Sequence, residues 1–261
     1  MVCLINYSCE RSRYDVDVSD KKVDMECYRL DTALFEIPED SLENVDSIMK
    51  KKYGEVWDLY IKRILKAGSP NDPLIDVNIA DFVMDYDMKN IYKEIRKEFP
   101  QFTPYKKKIE KSFKYYKYHF PNERIPEIIT YHSGFNYAIY PNDSLLGIGL
   151  EWFLGADNEM VKRLPRKTFP KYKKKDMKKD YLVTDAVKGW LQVNMYDKIK
   201  AGENLLDNMI FYGKILYLMD VVFPNKPDST KINYTSNEMT WCRENEESIW
   251  KTLVRENVLY S

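Results

Sequence analysis

The spacing of apolar residues changes most clearly near the centre of this chain, and that change limits the folds open to it. Residues 128–140 are rich in β-branched and aromatic side chains, and their apolar residues alternate as on a half-buried strand. Residues 141–144 have the composition of a turn, and residues 145–150 are predicted to form the returning strand. The pattern therefore predicts an antiparallel hairpin.

The segments on both sides of the hairpin are predicted to be largely helical, because their apolar residues recur at steps of three and four. Asp40 and Glu43 match a capping box that would begin the first helix. Residues 28–37 are predicted to add a strand, whereas residues 151–180 are predicted to form a loop. The predicted helices cover residues 40–65, 88–99, 105–116, 181–200, 204–222 and a segment around 249–254. We therefore expect an α+β fold, a mostly helical single domain with a small mixed sheet.

Composition and motifs exclude the commonest functional classes. The 41 Lys and Arg residues balance 41 Asp and Glu residues, so the chain as a whole is not expected to bind nucleic acid. Its two histidines, His119 and His132, are too far apart in sequence for a His-Glu-x-x-His zinc motif. Neither a phosphate-binding loop nor a dinucleotide fingerprint nor a nucleophile elbow occurs. The sequence therefore predicts no cofactor, no metal and no enzyme activity of a common type.

The first ten residues resemble the end of a lipoprotein signal peptide. A short apolar run ends at Ser8-Cys9 and is followed at once by Glu10, and a small residue precedes the cysteine that is lipidated in such signals. The apolar run is short and no basic segment precedes it. Two interpretations follow: Cys9 is acylated at the end of a truncated signal spanning residues 1–9, or it is an accidental cysteine at a frayed terminus. Residues 10–27, rich in Asp, Lys and Ser, are predicted to form a tether that precedes a domain at 28–261.

Six segments in a fixed order carry a more specific resemblance. They are residues 131–137 (YHSGFNY), 146–155 (LGIGLEWFLG), 169–172 (FPKY), 185–190 (DAVKGW), 207–217 (DNMIFYGKILY) and 246–260. In this set the chain resembles the gliding-motility lipoprotein GldB family of Bacteroidetes-type bacteria. The resemblance implies a lipid anchor at Cys9 and a place in the cell envelope, on the periplasmic face of the outer membrane. It also implies binding to envelope proteins of the gliding or type IX secretion machinery, or a role in envelope assembly.

The family is in turn similar to zincin metallopeptidases, in which a helix beside a small sheet carries the zinc motif. Residues 184–188 would occupy the position of that motif here, with Asp185 in place of the general-base glutamate. Both motif histidines are missing, and zinc needs three protein ligands and an open position. The resemblance therefore implies a zincin-like fold without the metal site. As an alternative function, a degenerate peptidase relative could retain peptide binding along the hairpin edge or an unrecognised activity.

Two groups of residues are candidate sites. Asp185 and Lys188 on the predicted helix, with His132 on the hairpin, could form a vestigial site. The simpler interpretation is that Asp185 and Lys188 form an ion pair three residues apart, and that His132 is a structural or surface residue.

The second candidate is a basic run between Lys162 and Lys179, which holds ten Lys and Arg residues, one acid and two aromatic residues. It could dock onto a lipid surface or an acidic partner, or it could be a solvated loop. The proposed docking lysines are Lys171, Lys173, Lys174, Lys175, Lys178 and Lys179.

Overall fold

A four-stranded mixed sheet is the centre of the fold in the computed structural model, which describes residues 12–69, 72–199 and 202–260. The strands are β1 (Cys27–Arg29), β2 (Glu127–Tyr131), β3 (Ile139–Pro141) and β4 (Leu145–Gly149), in the order β1-β2-β4-β3. Strand β2 is parallel to both β1 and β4, whereas β3 is antiparallel to β4. Strand β4 is buried along its whole length, as its continuous apolar run requires.

The predicted hairpin is correct only in its second half. Strand β4 pairs antiparallel with β3, but its other neighbour, β2, runs parallel to it, with Ile128 opposite Leu146. The chain leaves the sheet after Tyr131 and returns only at Ile139, so β2 and β3 do not form one strand. At the break, Gly134 and Phe135 adopt left-handed φ angles of 66° and 64°, which an extended strand cannot contain.

We call residues 25–109 and 124–194 the sheet unit. Its helices lie between β1 and β2 or after β4 in the sequence. They are α1 (Leu30–Phe35), α2 (Val45–Tyr53), α3 (Glu55–Leu59), α4 (Ile75–Met84), α5 (Tyr86–Glu98), α7 (Glu159–Arg163), α8 (Lys171–Asp176) and α9 (Leu182–Asn194). Helix α6 (Thr103–His119) begins in this unit and continues into the second one. The core of the sheet unit includes Leu30, Leu34, Trp57, Tyr60, Ile61, Ile64, Ile79, Ile129 and Tyr131, all of which are buried.

The fold class is confirmed, but several predicted boundaries change. The predicted helix over 40–65 is divided at Gly54, whose φ of 55° ends α2, and its last turn, Tyr60–Leu65, is a π-helix. The predicted strand at 28–37 is mostly helix α1, and α4 was not predicted. The predicted loop at 151–180 contains the short helices α7 and α8, which are too short to show a clear period.

The helical unit, defined here as described residues 12–24, 110–123, 195–199 and 202–260, holds the remaining helices. They are α10 (Tyr196–Ile199), α11 (Leu205–Val222), α12 (Asp228–Lys231), α13 (Ser236–Glu244) and α14 (Glu246–Arg255). Thr235 and Glu238 form a capping box that begins α13. No helix among the residues described is long and apolar enough to cross a bilayer.

Part of the segment predicted as a tether packs in the helical unit. The ring of Tyr14 lies edge-on to Tyr217, with ring centres 5.6 Å apart, and Tyr115 donates a hydrogen bond to Asp15 at 3.1 Å. Val18 is buried as well. Residues 12–24 therefore make specific contacts in this unit, unlike a solvated tether. Cys9, the predicted lipidation site, lies outside the described residues.

Candidate functional site

His132 and Glu151 meet at one edge of the sheet, because β2 and β4 are parallel neighbours and each is followed by one of these residues. Carboxyl ends of parallel strands lie at the same edge, which is where α/β proteins commonly place their sites. His132 is the first residue after β2, and Glu151 is the second after β4. Both side chains have no solvent exposure, so the surface alternative for His132 is wrong.

The carboxylate of Glu151 binds the backbone that leaves the sheet. Its Oε1 accepts hydrogen bonds from the backbone N–H of Ser133 at 2.9 Å, from the Ser133 hydroxyl at 2.8 Å and from the backbone N–H of Phe135 at 3.2 Å. The left-handed Gly134 and Phe135 turn the backbone so that these donors face one point. Successive N–H groups in such turns form a concave anion-binding nest. We call residues 132–135 with Glu151 the Glu151 nest, in which the protein supplies its own anion.

His132 closes one side of the Glu151 nest. Its Nδ1 lies 3.7 Å from Glu151 Oε1 and accepts a hydrogen bond from the backbone N–H of Gly134 at 3.4 Å. Its ring packs against Phe35 and Phe82, with ring centres 5.1 and 5.4 Å away. Among the described residues, neither His132 Nε2 nor Glu151 Oε2 has a hydrogen-bond partner, and both are buried. The imidazole of His132 is thus enclosed by aromatic rings and by the Glu151 nest.

Sequence reasoning missed Glu151 as a partner of His132. The signal was present, because a glutamate is the second residue after the all-apolar strand β4 and a histidine directly follows β2. The predicted antiparallel hairpin, with its turn at residues 141–144, would also have brought Glu151 close to His132, because residue 151 would face residue 134. The sequence does not show that the backbone turns at Gly134 and Phe135 or that both side chains are buried.

A second buried carboxylate lies beside β1 and β2. Asp31 has no solvent exposure and pairs with Arg29, whose Nε and Nη2 lie 2.9 and 2.7 Å from its two oxygens. The Thr130 hydroxyl also donates to Asp31. This pair ties the start of α1 to the sheet, which gives Asp31 a structural role.

Asp185 and Lys188 form the ion pair that their spacing predicted. Lys188 Nζ lies 3.0 Å from Asp185 Oδ1, on α9. Neither residue forms a hydrogen bond or an ion pair with His132, so the structure does not join the three into one site. Helix α9 packs closely on β3, because a Cβ at Gly189 would lie 3.0 Å from Ile139.

The residues present do not fit the zinc ion of a zincin. Within the described ranges no three His, Cys, Asp or Glu side chains are grouped so that they could hold a metal. At the motif position, the carboxylate of Asp185 is engaged by an ammonium group, and the two nitrogen ligands are missing. The chain's own donor set thus gives no support for zinc at this helix.

The basic run is a folded surface element, not a loop. Phe169 is buried with its ring beside Phe135 and Trp152, and Met177 is buried at the other end of α8. Between them, Lys174 donates to the carbonyls of Lys162 and Leu164 at 2.9 and 2.7 Å. We call residues 162–179 the basic segment.

The proposed docking lysines differ in exposure. Lys171, Lys173 and Lys179 are exposed, whereas Lys174, Lys175 and Lys178 are half-buried. Lys179 pairs with Glu98, and the ammonium of Lys178 lies over the Tyr181 ring at 5.4 Å.

The helical unit presents an apolar groove between α11, α13 and α14. The groove has a volume of about 290 Å³, and we call it the C-terminal groove. No residue of α13 or α14 is buried, although both helices carry large apolar side chains. The lining residues are Met209, Met239, Cys242, Arg243, Glu246, Ile249, Trp250 and Leu253. An exposed apolar surface of this kind commonly marks a binding site.

Comparison with known proteins gives one match. The model of a family described as gliding motility protein GldB matches residues 11–261, a range that includes every residue the structure describes. No curated protein and no solved structure matches the chain.

Proposed function

We propose, because the chain belongs to the gliding motility protein GldB family, that it acts as a non-catalytic, lipid-anchored protein of the cell envelope. The family is one of gliding motility-associated lipoproteins, and this membership is the observation that carries the proposal. The anchor would be an acyl group on Cys9, on the periplasmic face of the outer membrane. The protein would then support the gliding and type IX secretion machinery, or envelope assembly, by binding other envelope proteins.

The C-terminal groove supports the choice of protein binding. Tryptophan, methionine and arginine are enriched where proteins meet, and the groove is lined by Trp250, two methionines and Arg243. Glu246 and Arg243 at the groove offer both signs of charge for orienting a partner. We propose that it receives apolar side chains from a partner envelope protein. Binding of a second copy of this chain is the competing outcome, and it would appear as a dimer in solution.

The Glu151 nest supports the proposal that the protein is non-catalytic. A catalytic His–Glu pair must reach a substrate, but His132 and Glu151 are fully enclosed and hold a backbone turn. The alternative function is that of a degenerate zincin-like peptidase relative that retains peptide binding or an unrecognised activity.

Removing Cys9 should abolish acylation, and altering the groove should not. In a gliding host expressing the gene from its own locus, we expect palmitate label on the wild type and on Trp250→Glu, and none on Cys9→Ala. Both variants should lose gliding, Cys9→Ala because the protein leaves the membrane and Trp250→Glu because a charge in the groove prevents apolar contact. The measurements are radiolabel on the immunoprecipitated protein and colony spreading.

Trp241→Glu is the matched control. Trp241 lies on the neighbouring helix α13 and is 57% exposed, but it does not line the groove. We expect this variant to be labelled and to glide. Palmitate label on Cys9→Ala would contradict the anchor, and equal loss of gliding in both tryptophan variants would contradict the groove.

Zinc content separates the proposed function from its alternative. We expect elemental analysis of the purified full-length protein to find far less than one zinc per chain, because the residue groups that bind zinc in zincins are missing. An active zincin purified in the same buffers shows whether metal survives the preparation. One tightly held zinc per chain would overturn the non-catalytic proposal and would favour the peptidase relative.

A further inference from the structure

The basic segment presents an excess of positive charge that the fold leaves unbalanced. Its ten cations are accompanied by one acid within the segment. Two of the exposed cations have carboxylate partners, Lys162 with Glu159 and Lys179 with Glu98. Five further exposed cations form no ion pair within 4 Å in the described part of the chain: Arg163, Arg166, Lys167, Lys171 and Lys173.

Buried side chains and hydrogen bonds hold the backbone of the basic segment in place. The buried side chains of Val161, Phe169 and Met177 fix the segment at three points along its length. The bonds from Lys174 to two backbone carbonyls fasten α8 to the end of α7. Since the backbone is already ordered, docking would not have to order it first, and the entropic cost of binding would be low.

We propose that the basic segment docks onto the anionic head groups of a phospholipid membrane. Eight of its ten cations are lysines, and lysine is depleted at protein interfaces, where arginine makes bidentate contacts with carboxylates. Flexible ammonium groups suit a fluid surface of head groups, which they attract without fixed geometry. The side chain of Tyr172, which is 65% exposed among these lysines, is of the type that membranes hold at the head-group level.

The proposal rests on the lipid-anchored function only in that the anchor would bring the chain to a membrane. Because the anchor would keep the segment close to the bilayer, even a weak attraction would hold it there. Docking of the basic segment would then set which face of the sheet unit the membrane covers.

The test uses the full-length chain with Cys9→Ser, so that no acyl group contributes. We expect it to co-sediment with phosphatidylcholine vesicles that contain about a quarter phosphatidylglycerol and to bind pure phosphatidylcholine at least about a hundredfold more weakly. Binding should fall steeply between about 0.1 M and about 0.5 M salt because exposed charges are screened. Replacing Arg163, Lys167, Lys171 and Lys173 by Gln should weaken binding to the anionic vesicles by roughly a hundredfold or more, at about fivefold per cation.

A control variant removes the same number of positive charges from another part of the surface. Lys51, Lys62, Arg63 and Lys107 are exposed, form no ion pair among the described residues and also comprise three lysines and one arginine. Their replacement by Gln should leave binding within about fivefold of the parent. Near-ultraviolet circular dichroism verifies that both variants are folded.

Three outcomes would overturn the docking proposal. They are equal binding to both vesicle types, equal weakening by both four-residue variants, and binding of soluble polyglutamate but not of anionic vesicles. The last would indicate an acidic protein partner. None of these outcomes depends on acylation of Cys9, so a failure here is distinct from a failure of the palmitate experiment.

Discussion

Replacing Glu151 by Ala is expected to lower the free energy of unfolding by about 3–5 kcal/mol, the usual loss when one partner of a buried charged network is removed. The substitution leaves the backbone N–H groups of Ser133 and Phe135, and the Ser133 hydroxyl, without their acceptor inside the protein. Each unsatisfied buried donor costs about 1–3 kcal/mol. The left-handed turn at Gly134 and Phe135 would also lose the contact that holds it. The measurement is urea denaturation followed by tryptophan fluorescence.

Glu151→Gln tests whether the hydrogen bonds or the charge matter more. The amide keeps an oxygen where Oε1 accepts its three bonds, so we expect a smaller loss, about 1–2 kcal/mol. Ser133→Ala, which removes one of the three donors, should cost a similar amount. If Glu151→Ala destabilised the protein by less than about 1 kcal/mol, the Glu151 nest would not hold the turn. If Gln cost as much as Ala, the charge opposite His132 would be the dominant contribution.

The protein should unfold cooperatively in alkali, because its buried tyrosines resist ionisation. Burial raises the pKa of Tyr60 and Tyr131 well above the usual value of 10, and the nearby Glu151 charge raises both further. The folded state therefore keeps protons that the unfolded chain releases above about pH 10. The stability from these two groups is complete below that pH and is lost as the pH rises towards their folded pKa values. By about pH 11 the loss from these two tyrosines is roughly 3 kcal/mol.

Tyrosinate absorbance at 295 nm and far-ultraviolet circular dichroism measured together would test this expectation. A late group of tyrosines should ionise at the pH at which the helical signal disappears. Tyr131→Phe removes one of the two buried hydroxyls and should move that midpoint upwards, although it also removes a bond to the Tyr137 carbonyl at 3.2 Å. Tyr86→Phe, at a side chain that is 76% exposed, is the control and should leave the midpoint unchanged. Ionisation of all tyrosines before any loss of helix would contradict the prediction.

The local features of this fold were predictable because they depend on neighbours in sequence. The spacing of apolar residues predicted α5, α9 and α11 to within a few residues, except that the helix predicted over 181–200 is interrupted after Asn194. The Asp185–Lys188 ion pair followed from helical geometry alone. The ordered segments that resemble the GldB family are a property of the sequence, and the family match over residues 11–261 agrees with them.

The candidate site could not be predicted, since it depends on a left-handed turn inside the segment predicted as one strand. The same apolar runs are compatible with a continuous strand at 128–140 or with two strands separated by a left-handed turn. What selects the second arrangement is the Glu151 carboxylate, which binds the turn from a position 16 and 18 residues further along the chain. Such a contact has no periodic signature in the sequence, and the side chain of an isolated Glu after a strand could have many other partners.

The sequence by itself determined the helical content, the lack of a zinc motif, the family and the clustering of lysines between 162 and 179. The tertiary structure alone decided that β2 and β4 run parallel, that His132 and Glu151 share a buried site, and which of the lysines face solvent. The physical reason is the range of the interactions. Helical period and motif spacing are properties of neighbouring residues, whereas strand direction and burial depend on groups that meet only after the chain has folded.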